Sequence, residues 1–286
     1  MPYRSVFREG LFAGQTIVVT GGGSGIGRCN AHELAALGAR VVIIGRKLEK
    51  LEAVAAEIRE DGGEVDAFVL DIREEDKVGE VIGQIVAKHD RIHGLVNNAG
   101  GQFPAPLATI SQKGFETVVR TNLVGGFLVA REVFKRSMSK HGGAIVNMTA
   151  DFWRGMPGMG HSGAARAGMD NFTKTAAVEW APAGVRVNAV APGWIASSGL
   201  DTYEGAVKAM IPKLREAVPL KRMATEAEVS SAICFLLSEG AAFITGTTVA
   251  IDGGAPLGSR IWPMPDHNKS VAYEGFHRAV KPKVLG

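Results

Sequence analysis

Apolar positions along this 286-residue chain fall into short, nearly continuous runs separated by stretches with helical spacing. Thr16–Thr20 is a β-branched run ending in glycines, and a helical pattern follows from Gly25 to about Gly38. Val41–Ile44 is a second run, after which Leu48, Leu51, Val54, Ala55 and Ile58 recur at the spacing of one helix face. The alternation continues with a strand at Val65–Leu70 and a helix through Val78, Val81, Ile82 and Ile85. A strand at Gly94–Asn97, a long helix around Phe115–Met138 and a strand at Ala144–Met148 come next, then a helix around Ala164–Pro182 and a strand at Arg186–Val190. Strands this apolar are covered on both faces, so the pattern predicts βαβ units in an α/β fold. The expected architecture is a Rossmann-type, doubly wound parallel sheet with helices on both sides, as a single domain over residues 1–254. Residues 196–225 break the rhythm and are polar, with Gly199, Gly205, Pro212 and Pro219. A substrate-covering lid belongs there in such a fold, although an ordinary surface loop would read the same way. Beyond Asp252-Gly253-Gly254 periodicity ends, and residues 255–286 read as an extension that packs on a neighbour or stays loose.

Composition refines this picture at a few points. The 37 glycines concentrate at turns after apolar runs, where they read as ligand-binding architecture rather than disorder. The net charge of +3 is carried by the extension, where Arg260, Lys269, Arg278, Lys281 and Lys283 face only Asp266 and Glu274. The body is therefore formally neutral and lacks the basic stripe of a nucleic-acid-binding surface. Cys29 and Cys234 sit in helical patterns without metal-ligand spacing, so buried apolar roles are expected and no metal site or disulfide. There is no run of about 18 apolar residues, and no membrane span is expected. Met1–Val6 has no apolar leader pattern and Val284-Leu285-Gly286 is not a peroxisomal address, so a cytoplasmic location is expected.

The chemistry begins at Thr20-Gly21-Gly22-Gly23-Ser24-Gly25-Ile26-Gly27, which joins the first strand to the first helix. Glycines there let the backbone approach a pyrophosphate, held by N–H groups at the helix start. Gly21, Ser24, Gly25, Ile26 and Gly27 are thus candidate cofactor residues. Where a carboxylate would hold an adenosine ribose 2′-hydroxyl, the second strand ends in Gly45, Arg46 and Lys47. Two cations and no carboxylate favour a 2′-phosphate, hence NADP(H). Asp71 and Ile72 end the third strand, in place to contact adenine. Asn97-Asn98-Ala99-Gly100 ends the fourth, which adds Asn98, Ala99 and Gly100 to the cofactor set.

With Asn122 in the long helix, Ala191-Pro192-Gly193 and Ile251-Asp252-Gly253-Gly254, these motifs resemble the short-chain dehydrogenase/reductase family, in order over residues 12–254. The resemblance implies nicotinamide contacts from Pro192, Gly193 and Ile195, and homotetramers formed through the long helices. It also implies an Asn-Ser-Tyr-Lys tetrad, from which this chain departs. Asn122 fits; the tyrosine position holds Ser162, the lysine position Arg166, and the serine position falls on Thr149 or Ala150. Asp170 and Lys174 keep the tyrosine-to-lysine spacing eight residues further along, which reads as coincidence.

Serine is a far weaker acid than a phenol, and arginine cannot relay a proton, but Arg166 supplies a fixed fork of donors and a permanent charge. Ser162 and Arg166 share one helix face at i and i+4. Carbonyl reduction needs the missing acid; reduction of a C=C bond conjugated to a thioester needs donors for an enolate oxygen, and Ser162, Arg166 and Asn122 suit that better. The segment His161–Gly168, followed by Val178-Glu179-Trp180-Ala181, resembles peroxisomal trans-2-enoyl-CoA reductases and is similar to 2,4-dienoyl-CoA reductases. That resemblance implies an acyl-CoA substrate and NADPH. It also sets Asp151 near where the mitochondrial dienoyl reductases carry a tyrosine acid, with His161 a second flanking candidate. The Gly158–Gly163 stretch is similar to bacterial dehydrogenases of acyclic, citronellol-like terpenoids, which implies alcohol oxidation instead. A third reading is a non-catalytic NADPH-binding sensor.

Overall fold

The computed structural model describes residues 3–258 and 264–286; Arg260 of the basic extension lies outside them. Seven strands form one parallel sheet: β1 (Thr16–Thr20), β2 (Arg40–Gly45), β3 (Glu64–Val69), β4 (Gly94–Asn97), β5 (Gly143–Met148), β6 (Val185–Pro192) and β7 (Thr248–Ile251). Their spatial order is β3-β2-β1-β4-β5-β6-β7. Alternate residues along each inner strand enter opposite layers, Ile17 and Val19 of β1 on one side and Val18 on the other. All three are fully buried, which is why these strands read as unbroken apolar runs.

The covering helices are α1 (Gly25–Ala36), α2 (Leu48–Glu60) and α3 (Glu75–His89), and later α7 (Gly160–Trp180), α8 (Gly205–Met210) and α9 (Glu226–Leu237). Between them a long helix runs as α4 (Gln112–Val119), α5 (Gly125–Val133) and α6 (Ser139–His141), joined by wider π-turns at Arg120–Val124 and Phe134–Met138. The sheet order reverses between β1 and β4, so the crevice for a ligand opens at their carboxyl ends.

The extension departs from expectation, because it packs on its own chain. The Phe276 ring lies 5.8 Å from that of Tyr3 and 5.1 Å from that of His32, under the Arg28 guanidinium. Arg278 binds Glu60 and Asp61 at 2.8 Å each. An aromatic anchor flanked by ion pairs accounts for a course that no periodicity announces.

Candidate active site

The glycine turn after β1 is drawn tightly against the end of β4. Gly21 has φ of +68°, and a Cβ there would stand 2.8 Å from Asn98 Nδ2. Gly27 faces the Gly21 carbonyl with no room for a Cβ. Asn98 Nδ2 donates to the Thr20 carbonyl at 2.9 Å, and Ala99 N–H donates to Thr20 Oγ1 at 2.9 Å. These contacts hold the turn and the β4 exit together as one wall of a cleft of about 610 Å³ along the carboxyl edge of the sheet.

Gly21, Ser24, Ile26, Arg46, Lys47, Asp71, Ile72, Asn98, Ala99, Gly100, Pro192, Gly193 and Ile195 all line that cleft. Gly25 and Gly27 do not; they shape the turn behind it. The cleft has the size of a cofactor site, and its glycine cradle, which side chains would fill, fits a dinucleotide. At the adenosine end Arg46 and Lys47 are joined by Arg73, which the sequence reading missed. Arg73 grips Asp71 with two nitrogens, Nε at 2.9 Å and Nη2 at 2.5 Å. That guanidinium is the main reason the Asp71 carboxyl lies below the usual range. Proximity to the end of β3 was the available signal for Arg73.

The chemical end is built from α7, the first π-turn and the β4 exit. Arg166 is buried, and its Nη1 donates to the Met148 carbonyl at 2.6 Å. A Cβ on Gly100 would lie 2.7 Å from Arg166 Nη2 and 3.0 Å from Asn122 Oδ1, so glycine leaves space where both groups converge. Arg166 has no carboxylate partner among the described residues and its Nε lacks any partner. Burial pushes its pKa down to about 10, which still leaves it charged at neutral pH.

Asn122 Oδ1 accepts from Gly101 N–H at 2.8 Å and Nδ2 donates to the Gly101 carbonyl at 3.0 Å. It thus fixes the exit of β4 from inside the π-turn. Ser162 is buried and its Oγ donates to Gln102 Oε1 at 2.7 Å, so its one proton is directed to Gln102. Asn122 and Ser162 stand behind the lining that Gly100, Gly101, Gln102 and Arg166 form. Thr149 lines the cleft, but its hydroxyl donates to the Val190 carbonyl at 2.9 Å; Ala150 lines it too.

Asp151 follows the lining residues Thr149 and Ala150 but does not itself line the cleft; its N–H donates to the Pro192 carbonyl at 3.3 Å. Burial first, and the neighbouring Asp252 second, push its carboxyl up, with Arg154 opposing. His161 is wholly buried, edge-on to Phe103 at 4.4 Å, with Nδ1 accepting from Ser162 N–H at 2.8 Å. That environment gives it a packing role. Asp170 faces elsewhere: it accepts from Lys174 Nζ and from Thr248 Oγ1, both at 2.6 Å, tying α7 to β7.

Sequence reasoning also missed Gln102 and Tyr203, which line the same cleft as Arg166. No motif marks either, because Gln102 follows the β4 exit and Tyr203 sits in the irregular 196–225 stretch. Ser197, Gly199, Leu200, Thr202 and Tyr203 of that stretch overhang the cleft. Its ends are pinned by Ala196 N–H to the Ala224 carbonyl at 2.8 Å and Ala224 N–H to the Trp194 carbonyl at 3.0 Å.

Residues 21–256 match the family described as Enoyl-(Acyl carrier protein) reductase. The peroxisomal 2,4-dienoyl-CoA reductase of Danio rerio is 34% identical over 90% of this chain and 86% of its own length. The Mus musculus enzyme of that name is 34% identical over 88% of this chain and 87% of its own. The solved structure of the citronellol catabolism dehydrogenase of Pseudomonas aeruginosa PAO1 is 68% identical, with a TM-score of 0.81, covering 88% of this chain and 99% of that one.

Proposed function

The chain belongs to the short-chain dehydrogenase/reductase family, and from that premise we propose that it is an NADP(H)-dependent reductase of the C=C bond of a 2-enoyl- or dienoyl-CoA. The observation that carries this reading is Arg166: a buried guanidinium without a carboxylate partner among the described residues, one helix turn from Ser162, which holds the place of the tyrosine proton donor needed for carbonyl reduction. Reduction of a conjugated C=C bond places negative charge on the thioester oxygen, and a fixed cation in a dry site stabilises it without moving a proton.

The cofactor's pyrophosphate would rest on Gly21, Ser24, Ile26 and the start of α1, and its 2′-phosphate among Arg46, Lys47 and Arg73. Pro192, Gly193 and Ile195 would hold the nicotinamide, which when bound supplies a hydride to the substrate β-carbon. Arg166 then faces the enolate oxygen, while Asn122 and Ser162 keep the Gly100–Gln102 wall in place. Asp151, favoured in its protonated form by burial and by Asp252, gives the proton to the α-carbon. We propose further that the protein acts in the cytoplasm as a homotetramer. Phe115 and Phe127 on the long helix and Val178 on α7 are exposed, in keeping with such association.

A second reading, oxidation of an acyclic terpenoid alcohol, is favoured by the 68% identity to the citronellol catabolism dehydrogenase. The two readings meet if the acyl group is a branched terpenoid. The deciding assay follows NADPH absorbance with trans-2-enoyl-CoAs of short, medium and branched chains, and with citronellol plus NADP⁺ in parallel. NADPH oxidation by an enoyl-CoA supports the first reading, and turnover of the alcohol alone replaces it with the second. Tight NADPH binding with silence in both assays would leave a non-catalytic sensor.

A further inference from the structure

We propose that Tyr203, carried on the overhanging segment, is a catalytic residue that donates its phenol O–H to the carbonyl oxygen of the substrate. We infer too that the chain's own C-terminus holds it there. This deepens the reading above and rests on it for the identity of that oxygen.

The chain has three tyrosines. Tyr3 bonds Glu33 and Tyr273 bonds the Arg4 carbonyl, both where the two ends of the chain meet. Tyr203 alone of the three lines the cleft, together with Gln102, Thr149 and Arg166. Its Oη lies 3.5 Å from Gln102 Nε2, and Gln102 Oε1 is occupied by the Ser162 hydroxyl at 2.7 Å. Ser162 is therefore committed inward, while the Gln102 carboxamide and the Tyr203 phenol both line the cleft as neutral donors beside each other. A separation of 3.5 Å is the outer limit of a hydrogen bond. A carbonyl oxygen inserted there would accept from both groups, in the cleft that Arg166 also lines. The phenol keeps its proton throughout, so no bond to it forms or breaks.

The segment that carries Tyr203 is restrained at a third point besides its two pinned ends. Asp201, two residues earlier, accepts from Lys283 N–H and Val284 N–H at 3.0 Å each. Those two donors hold the Asp201 carboxyl below its usual range, with Lys208 and Lys283 contributing. Asp201 is a positioning residue, and the last four residues act as a strap across the overhang.

The test compares the wild type with Tyr203→Phe, Asp201→Asn and a chain ending at Pro282. Each is assayed with whichever substrate the wild type turns over, and for affinity of the NADP⁺-loaded protein for a saturated acyl-CoA. Melting temperature and NADPH affinity report folding. Tyr203→Phe is expected to lose about 10²-fold in kcat, as for removal of one oxyanion donor, with NADPH affinity and melting temperature unchanged. Asp201→Asn and the shortened chain are expected to raise KM more than they lower kcat. Wild-type kcat in Tyr203→Phe overturns the proposal. Silence of the wild type on enoyl-CoAs refutes the enoyl reading instead, and Tyr203 is then judged on the alcohol. If the wild type turns over neither, acyl-CoA binding about five- to tenfold weaker in Tyr203→Phe supports the proposal, and equal binding overturns it.

Discussion

At the scale of single residues, the proposed chemistry turns on Arg166. It is charged at neutral pH without an acidic neighbour among the described residues, so its positive potential is uncancelled where charge would develop. Arg166→Ala is expected to lower kcat about 10²- to 10³-fold; a near-wild-type rate in stopped-flow NADPH oxidation would remove the enolate mechanism. Asp151 makes a complementary prediction. Its carboxyl is raised, so it is protonated below that raised pKa and loses its proton as pH climbs through it. A proton donor of this kind gives a kcat that falls on the alkaline side. Asp151→Asn should be slower and lack that limb, and an unchanged pH–rate profile would assign the proton to another group. Much of this was legible in the sequence: Ser162 and Arg166 at i and i+4 could only share a face, and the glycine turn could only approach a ligand closely. Arg73, Gln102 and Tyr203 were not legible, because each takes its place from a loop course with no period. That Asp151 stands beside Asp252 needed β5 and β7 to be folded into one sheet.

Among elements, the inner strands were the most readable, since burial on both faces leaves an unbroken apolar signature. β7 lacks one: Thr248–Ile251 is short, half-buried and at the sheet edge, so it escaped the apolar pattern. The two π-turns of the long helix were equally hidden, yet the first carries Asn122 into reach of Gly101. Spacing alone also offered a decoy in α7. Asp170 and Lys174 repeat the family's separation, but the turn of the helix points Asp170 at Thr248 of β7, away from the cleft. Asp170→Ala should therefore act on stability and spare catalysis. Loss of a nearly buried acceptor for the Thr248 hydroxyl is expected to cost about 1–2 kcal/mol, measured by urea unfolding, with kcat close to wild type. A collapse of kcat at unchanged stability would show that the helix register around Ser162 and Arg166 has been misjudged.

For the whole molecule, the question is how two chain ends outside the sheet contribute to a cooperative fold. The extension binds α1 and α2 through Phe276 and Arg278 and encloses the start of α9, where Glu226 is buried. Glu226 makes no side-chain hydrogen bond among the described residues, and burial raises its carboxyl to about 7, only partly opposed by Arg28. The folded protein thus holds this proton more tightly than the unfolded chain does, whose carboxyl titrates near ~4.3. Its contribution is complete below the unfolded value and is lost as pH rises through about 7. The ordinary carboxylates behave in the opposite sense. Asp61, lowered chiefly by its bond to Arg278, stabilises the fold above its unfolded pKa, and that gain is lost as pH falls through its lowered folded value. The two effects occupy separate windows, below the ordinary carboxylate value for the extension's ion pairs and from that value up to about pH 7 for Glu226. Melting temperature should consequently decline as pH rises from the unfolded carboxyl value of ~4.3 to about 7 and level off above it, by an amount on the order of a few kcal/mol in stability. Glu226→Gln, neutral at every pH, should flatten that decline while leaving the acid limb in place. An equal decline in both proteins would mean that Glu226 is solvated in the folded state and that the extension does not close over α9.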